Sequence, residues 1–221
     1  MEPVSVSGQN IFKESSFYSK LRAIQESEVR DVLESRLEDF RRMRSSDAET
    51  LFGELCFCIL TANTSAEMGI RTQMGIGIEG FLKLPEKRLR DRLHELQYRF
   101  YNVRSRFIVK ARPFIDELPG LVRSTDPMEA REFLVKNVDG ISYKEASHFL
   151  RNVGVFDLAI LDKHIVRIMN QLDPSIDMKV TPAFRYIQKE NIFKTYSDSL
   201  GMKPGELDLY LWYMATGKII K

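Results

Sequence analysis

Residues 133–154 read FLVKNVDGISYKEASHFLRNVG, and the fold follows from where this stretch turns. FLVKN (133–137) closes one helix. VDGI reverses the chain, with Gly140 supplying a backbone conformation closed to residues that carry a Cβ. Ser142-Tyr143-Lys144-Glu145 matches the capping box S-x-x-E, in which the serine and the glutamate satisfy each other's orphan amides. The helix KEASHFLRNVG then turns Ala146, Phe149, Leu150 and Val153 inward, and Gly154 stops it. Helix, glycine turn, helix is a helix-hairpin-helix arrangement. Amides at a helix start are free donors that can point at a phosphate, so Gly140 and Ser142 are candidate contacts to a nucleic-acid backbone. Glycine turns between helices are common, and the arrangement alone does not fix a function.

The box puts Lys144 at the second helical position, where the aligned peptide dipoles disfavour a cation by roughly 0.3–1 kcal/mol. A surface lysine reaching back to solvent is the plain reading. The functional one is that the same potential, helped by burial near a cleft, favours the neutral amine, a nucleophile able to form a Schiff base. The next segment, VFDLAILDKHIVRIM (155–169), delivers Asp162 just before another helix, eighteen residues after Lys144. One helix out and a loop back cover that distance, so both residues can line one cleft. A carboxylate there can stabilise a developing cation or act in proton transfer. Asp162 also reads as a cap for KHIVRIM, and the two roles are compatible. His164 reads as a structural or phosphate-contacting residue.

Working outward, the 221 residues suffice for one large domain or two small ones. An apolar fraction of 43% and a charged fraction of 29% are those of a globular protein. No apolar run reaches the ~18 residues of a membrane span, so no membrane partner is expected. The first twenty residues lack the basic-then-apolar order of a secretory signal, and an intracellular, cytoplasmic location is expected. Cys56 and Cys58 sit in LFGELCFCILTAN and read as small buried side chains. Three histidines at no zinc spacing supply no metal site, and two cysteines exclude a four-cysteine iron–sulfur cluster. No metal and no cofactor is expected.

The net charge of +2 hides an asymmetry. Residues 83–112 carry ten Lys/Arg against three Asp/Glu, a local +7, which leaves −5 for the rest. With Tyr98, Phe100, Tyr101 and Phe107 interleaved, this strip can follow a nucleic-acid backbone; a solvated helix face is the alternative. Arg104 and Arg106 are its candidate contacts. Nearly everything else reads as helix. Ser27 is placed as the cap of a helix with Val29, Val32, Leu33, Leu37, Phe40 and Met43 inward. AETLFGELCFCILTAN (48–63) reads as a central buried helix. Ser65 caps the next, and Pro85 opens the basic one. Asn102 starts another that Pro113 ends. Asp126-Pro127 and Thr181-Pro182 are start signals, and Gly217 stops the last helix. The fold class expected is all-α. Two helical subdomains are placed at 46–161, ending in the hairpin, and at 1–45 plus 162–221.

DGISYKEASHFLRN followed by LAILDKHI resembles the helix-hairpin-helix DNA glycosylase superfamily. Within it the match is to the archaeal and bacterial, type 2, branch of 8-oxoguanine DNA glycosylases with lyase activity. ELCFCILTANTSAEMGIRTQ (54–73), YRFYNVRSRFIV (98–109) and GELDLYLWYMATGKIIK (205–221) are similar to that branch as well. The resemblance implies a two-subdomain helical fold with its active-site cleft between the subdomains. It implies base-excision repair of double-stranded DNA containing 8-oxoguanine, with the damaged nucleotide extruded from the duplex. By the same analogy Lys144 attacks C1′ and forms a Schiff base, β-elimination breaks the strand on the 3′ side, and Asp162 stabilises positive charge on the sugar. Asp208 and Trp212, four apart on one helix face, and the final residue, Lys221, are implied to read the base. Asn63 falls where the family places a polar residue near the DNA. Thr64 stands where a larger side chain often sits, so the resemblance does not identify the residue that fills the vacated base position.

Two other readings stay open at this point. One is a monofunctional glycosylase for alkylated or mismatched bases, in which Asp162 activates water and Lys144 is dispensable. The other is a non-catalytic hairpin module that grips phosphates, with steep salt dependence and no product. Nothing in the sequence requires more than a monomer.

Overall fold

The computed structural model describes residues 12–220. Among them the regular structure is helical, with no strand, as the all-α expectation required. In order come α1 (Ser16–Gln25), α2 (Val29–Met43), α3 (Ala48–Thr61), α4 (Ala66–Lys83), α5 (Glu86–Glu95) and α6 (Tyr101–Ala111). A 3-10 turn (Arg112–Phe114) leads to α7 (Leu118–Arg123), α8 (Pro127–Asn137), α9 (Tyr143–Asn152), α10 (Lys163–Leu172), α11 (Ala183–Ser199) and α12 (Pro204–Thr216).

These elements form two compact units. One comprises Phe40–Val155 with Ile220, and the other the described residues up to Asp39 with Phe156–Ile219. The divisions expected from the sequence, after 45 and after 161, lie further along the chain than the observed ones after Asp39 and Val155. Two reasons are visible. Phe40, the last buried residue of the α2 stripe, belongs with the hairpin unit. The irregular stretch that leads to Asp162 is fastened to α11, as described below, and belongs with the other.

The hairpin unit is built round α3. Every residue from Leu51 to Thr61 is buried, because apolar side chains cover all faces of this helix and leave none for water. Asp47 caps it, accepting from the Thr50 N–H at 2.8 Å. Helices α4, α6, α7 and α9 pack against it. Each Leu or Phe fully buried there contributes roughly 1.5–3 kcal/mol. Cys56 and Cys58 are buried thiols within this core, and burial pushes the Cys56 thiol well up. Glu54 is 3% exposed and accepts from the Asn152 amide at 2.7 Å, which fastens the end of α9 to α3. In the other unit α12 packs against α1, α10 and α11, with the Phe12 and Tyr196 rings stacked at 5.3 Å.

Several local expectations change. Ser27 does not cap α2; its hydroxyl turns back to the Ile24 carbonyl at 2.8 Å. Leu33, Leu37 and Phe40 share the buried face of α2, whereas Val32 is 55% exposed, lying one residue off a 3.6-residue stripe. Pro85 and Pro182 are the caps themselves, and Asn102 lies inside a helix that begins at Tyr101. The remaining signals act as read. Ser65 accepts from Met68 N–H, Asp126 accepts from Met128 and Glu129 N–H, α6 ends before Pro113, and Gly217 closes α12 with φ 69°. No helix among the described residues is long and apolar enough to cross a membrane.

Candidate functional site

The hairpin runs from α8 through Val138-Asp139-Gly140-Ile141 to the cap at Ser142. Gly140 has φ +83°, and a Cβ there would lie 2.5 Å from Phe107 and from the Arg104 guanidinium. Both its conformation and its surroundings therefore require glycine. Arg104 is 7% exposed and donates to the Ala62 carbonyl at 3.0 Å. Its guanidinium also lies 5.8 Å from the Phe100 ring and 5.4 Å from the Phe107 ring. The sequence placed Arg104 on a DNA-contacting strip. In the structure it joins the end of α3 to the hairpin turn. Arg106 is exposed, as that strip requires, with its guanidinium 5.8 Å from the Phe107 ring.

Asn63 follows Ala62 with φ 63°, a left-handed conformation that asparagine tolerates better than bulkier residues. Its side chain is exposed. Asn63, Arg104, Gly140, Ser142 and Glu145 line one cleft of about 360 Å³ together with Ala62 and Ile141. Sequence positions 62–63, 104, 140–142 and 145 thus meet in one place, and of these Asn63, Arg104, Gly140 and Ser142 were candidates; Lys144, beside Glu145, is not among the lining residues.

The capping box forms as its residues dictate. Glu145 Oε2 accepts from the Ser142 N–H at 3.3 Å and from the Ser142 hydroxyl. Its Oε1 lies 2.8 Å from Nζ of Lys144, whose side chain is about one-third exposed. Burial pushes the Glu145 carboxyl up, but the charge and hydrogen bond of Lys144, with the Ser142 hydroxyl, outweigh it and hold the carboxyl below the usual range. The sequence expectation gave Lys144 no partner. An adjacent carboxylate was legible in the box itself, but it was read there as a cap and nothing more. The box is braced from α8, where Glu132 accepts from the Tyr143 hydroxyl at 2.6 Å and Arg131 donates to Ser147 at 3.3 Å.

In the other unit, Leu158, Ala159, Ile160 and Leu161 are buried without forming a helix or strand. Their backbone groups need partners in place of water. Tyr186 of α11 donates to the Ala159 carbonyl at 2.8 Å and accepts from the Leu161 N–H at 3.1 Å. Glu190 accepts from the Ala159 N–H at 3.0 Å. This lattice delivers Asp162 as the cap of α10, as expected. Its Oδ1 accepts from His164 N–H at 2.8 Å and Ile165 N–H at 2.9 Å. Both bonds use one oxygen, so Oδ2 carries no hydrogen bond among the described residues. Sequence reasoning missed Tyr186 and Glu190, and no local pattern marks them.

The His164 side chain is half-buried in the first turn of α10. On α12, Asp208 is 3% exposed and Trp212 half-buried. Lys221 lies outside the described residues. Among those residues no group of three or more His, Cys, Asp or Glu is placed to hold a metal ion.

A family model described as 8-oxoguanine DNA glycosylase matches residues 33–202. A relative from Thermoplasma acidophilum, named 8-oxoguanine DNA glycosylase/AP lyase, is 52% identical over 198 residues, 90% of this chain and 96% of its own. Among solved structures, the Methanocaldococcus jannaschii 8-oxoguanine glycosylase/lyase in complex with a 15-mer DNA containing 8-oxoguanine matches with a TM-score of 0.89 at 42% identity. That match covers 94% of this chain and 100% of the other. The 8-oxoguanine DNA glycosylase of Thermotoga maritima matches with a TM-score of 0.87 at 43% identity, over 97% and 100% of the two chains. On the family match and on half-identity with a relative spanned almost end to end, the chain belongs to the 8-oxoguanine DNA glycosylase family.

Proposed function

We propose that this chain excises 8-oxoguanine from duplex DNA and then cleaves the strand at the abasic site, with Lys144 as nucleophile and Asp162 as its carboxylate counterpart. The observation that supports the roles is the pair of caps. Lys144 stands in the first turn of α9, held by a built carboxylate. Asp162 caps α10 through one oxygen and leaves the other available. The substrate is supported by the names of the relatives at 52% identity and above 40% structural-match identity.

The reacting sugar is unreachable inside the base stack, so the nucleotide must be everted. The deprotonated amine of Lys144 attacks C1′. The C1′–N9 bond breaks, and its electron pair leaves with the base, which takes up a proton. As that bond lengthens the sugar gains positive charge, and a carboxylate oxygen from Asp162 lowers the cost of that charge. Ring opening leaves a protonated Schiff base. Loss of a C2′ proton then expels the 3′ phosphate by β-elimination. The amides of the Gly140–Ser142 turn, with Asn63 and Arg106, hold the backbone phosphates. Asp208, Trp212 and Lys221 read the base, and His164 contacts phosphate. The protein acts as a monomer on DNA inside the cell, with no cofactor; sedimentation with and without duplex checks the first point.

Borohydride trapping tests the central claim. Reductant plus an 8-oxoguanine duplex is expected to yield a covalent protein–DNA adduct, and Lys144→Gln to abolish it. Free base released by the unaltered protein without an adduct overturns the lysine mechanism and leaves the monofunctional reading, in which Asp162 activates water.

A further inference from the structure

Glu145 does two things at once, with different oxygens. Oε2 closes the cap at Ser142, and Oε1 holds Nζ of Lys144 at 2.8 Å. A capping box needs only the first, and glutamine serves that purpose as well as glutamate. The charge therefore calls for a separate explanation. Burial sharpens the question, because the residue is 7% exposed and an ionised carboxylate at such a place is costly unless paired. Its position is fixed twice, by the first turn of α9 and by the two Ser142 donors. A lysine left to itself samples many rotamers. One held by an immobilised oxygen presents its amine at a defined point.

We propose that Glu145 is a positioning residue for Schiff-base formation: through Oε1 it fixes where the amine of Lys144 stands. The proposal rests on Lys144 being the nucleophile. Five charged groups on the elements packed around the box have partners of their own. Arg104 of α6 holds the Ala62 carbonyl, and Lys110 of α6 pairs with Asp139 at 3.0 Å. On α8, Glu132 takes the Tyr143 hydroxyl and Arg131 the Ser147 hydroxyl, while Glu54 of α3 takes the Asn152 amide.

The test is single-turnover adduct formation by the whole protein on a duplex carrying a preformed abasic site, with cyanoborohydride. The preformed site removes base departure from the measurement. Glu145→Gln keeps one acceptor oxygen, enough for the Ser142 cap, and offers Lys144 no second one. Its plateau rate is expected to fall about tenfold while its melting temperature stays near that of the wild type. Glu145→Ala loses both oxygens, and its plateau is expected to fall at least as far. A Glu145→Gln plateau equal to wild type overturns the proposal, as does a Glu145→Ala plateau equal to wild type. Where Glu145→Ala does not fold, Glu145→Gln decides alone. An adduct that persists in Lys144→Gln overturns instead the assignment of the lysine, whatever the Glu145 variants do.

Discussion

The segments that present Lys144 and Asp162 are built on opposite principles. Lys144 stands on a hairpin whose parts are neighbours in sequence: a glycine turn, a serine cap and a glutamate three residues on. Asp162 ends a stretch with no regular structure, whose buried amides and carbonyls are satisfied by Tyr186 and Glu190, more than twenty residues away. A local device specifies itself wherever it is placed. A buried irregular segment exists only because a distant helix supplies hydrogen-bond partners that water would otherwise provide. Two carboxylates illustrate the same contrast. Glu145 shares its oxygens between a cap and a cation, whereas Asp162 commits one oxygen to a cap and leaves the other available.

This comparison can be broken at several points. The largest effect is expected at Gly140, where the local device meets a tertiary constraint. Gly140→Ala places a Cβ 2.5 Å from Phe107 and Arg104 at a positive φ, and about 2–4 kcal/mol of stability should be lost. Gly217 also has a positive φ but nothing within 4 Å, so Gly217→Ala should cost about 1 kcal/mol. Equal denaturant midpoints for the two would mean that conformation alone, and not the approach of Arg104, demands the glycine.

Next comes Tyr186→Phe, which removes the donor to the Ala159 carbonyl and the acceptor for the Leu161 N–H. A loss of about 1–3 kcal/mol is expected in urea unfolding. Release of 8-oxoguanine should slow, while trapping on a preformed abasic site should not. Unchanged base release would show that the segment places Asp162 without help from α11.

Asp162 itself should separate capping from chemistry. Asp162→Ala loses about 1 kcal/mol of stability with the cap, whereas Asp162→Asn keeps an acceptor and loses a few tenths. Base release should fall about a hundredfold in both. Full activity in Asp162→Asn would mean that the carboxylate charge is not needed.

The smallest effect is at acid pH. The Glu145 carboxyl is held below its ordinary value in the folded protein, so the unfolded chain binds its proton first as pH falls. The stability it contributes is complete above about pH 4.3. It is lost as pH drops through the depressed folded value. Thermal melts of the wild type and Glu145→Gln should differ in slope across that window, and parallel curves would deny the coupling.

Much of this was legible in the residues. The helices, the caps at Ser65, Asp126 and Asp162, the turn at Gly140 and the box at Ser142 and Glu145 all rest on contacts within a few positions. Ser27 and Pro182 failed as read for the converse reason: a hydroxyl has acceptors on either side, and proline can sit at a cap as well as after one. The bond from Arg104 to Ala62 was not legible, because a guanidinium on an amphipathic strip looks the same whether it faces solvent or a carbonyl of another helix.

By itself, then, the chain determined an all-helical protein with a lysine at the mouth of a capped hairpin and an aspartate at the start of a later helix. It could do so because caps, turns and helical periodicity are short-range. Tertiary structure alone decided that Glu145 is buried beside that lysine, that Arg104 lies against Gly140, and that α11 holds the irregular segment leading to Asp162. Those outcomes depend on which helices pack together, and packing is settled by shape and burial summed over the whole core.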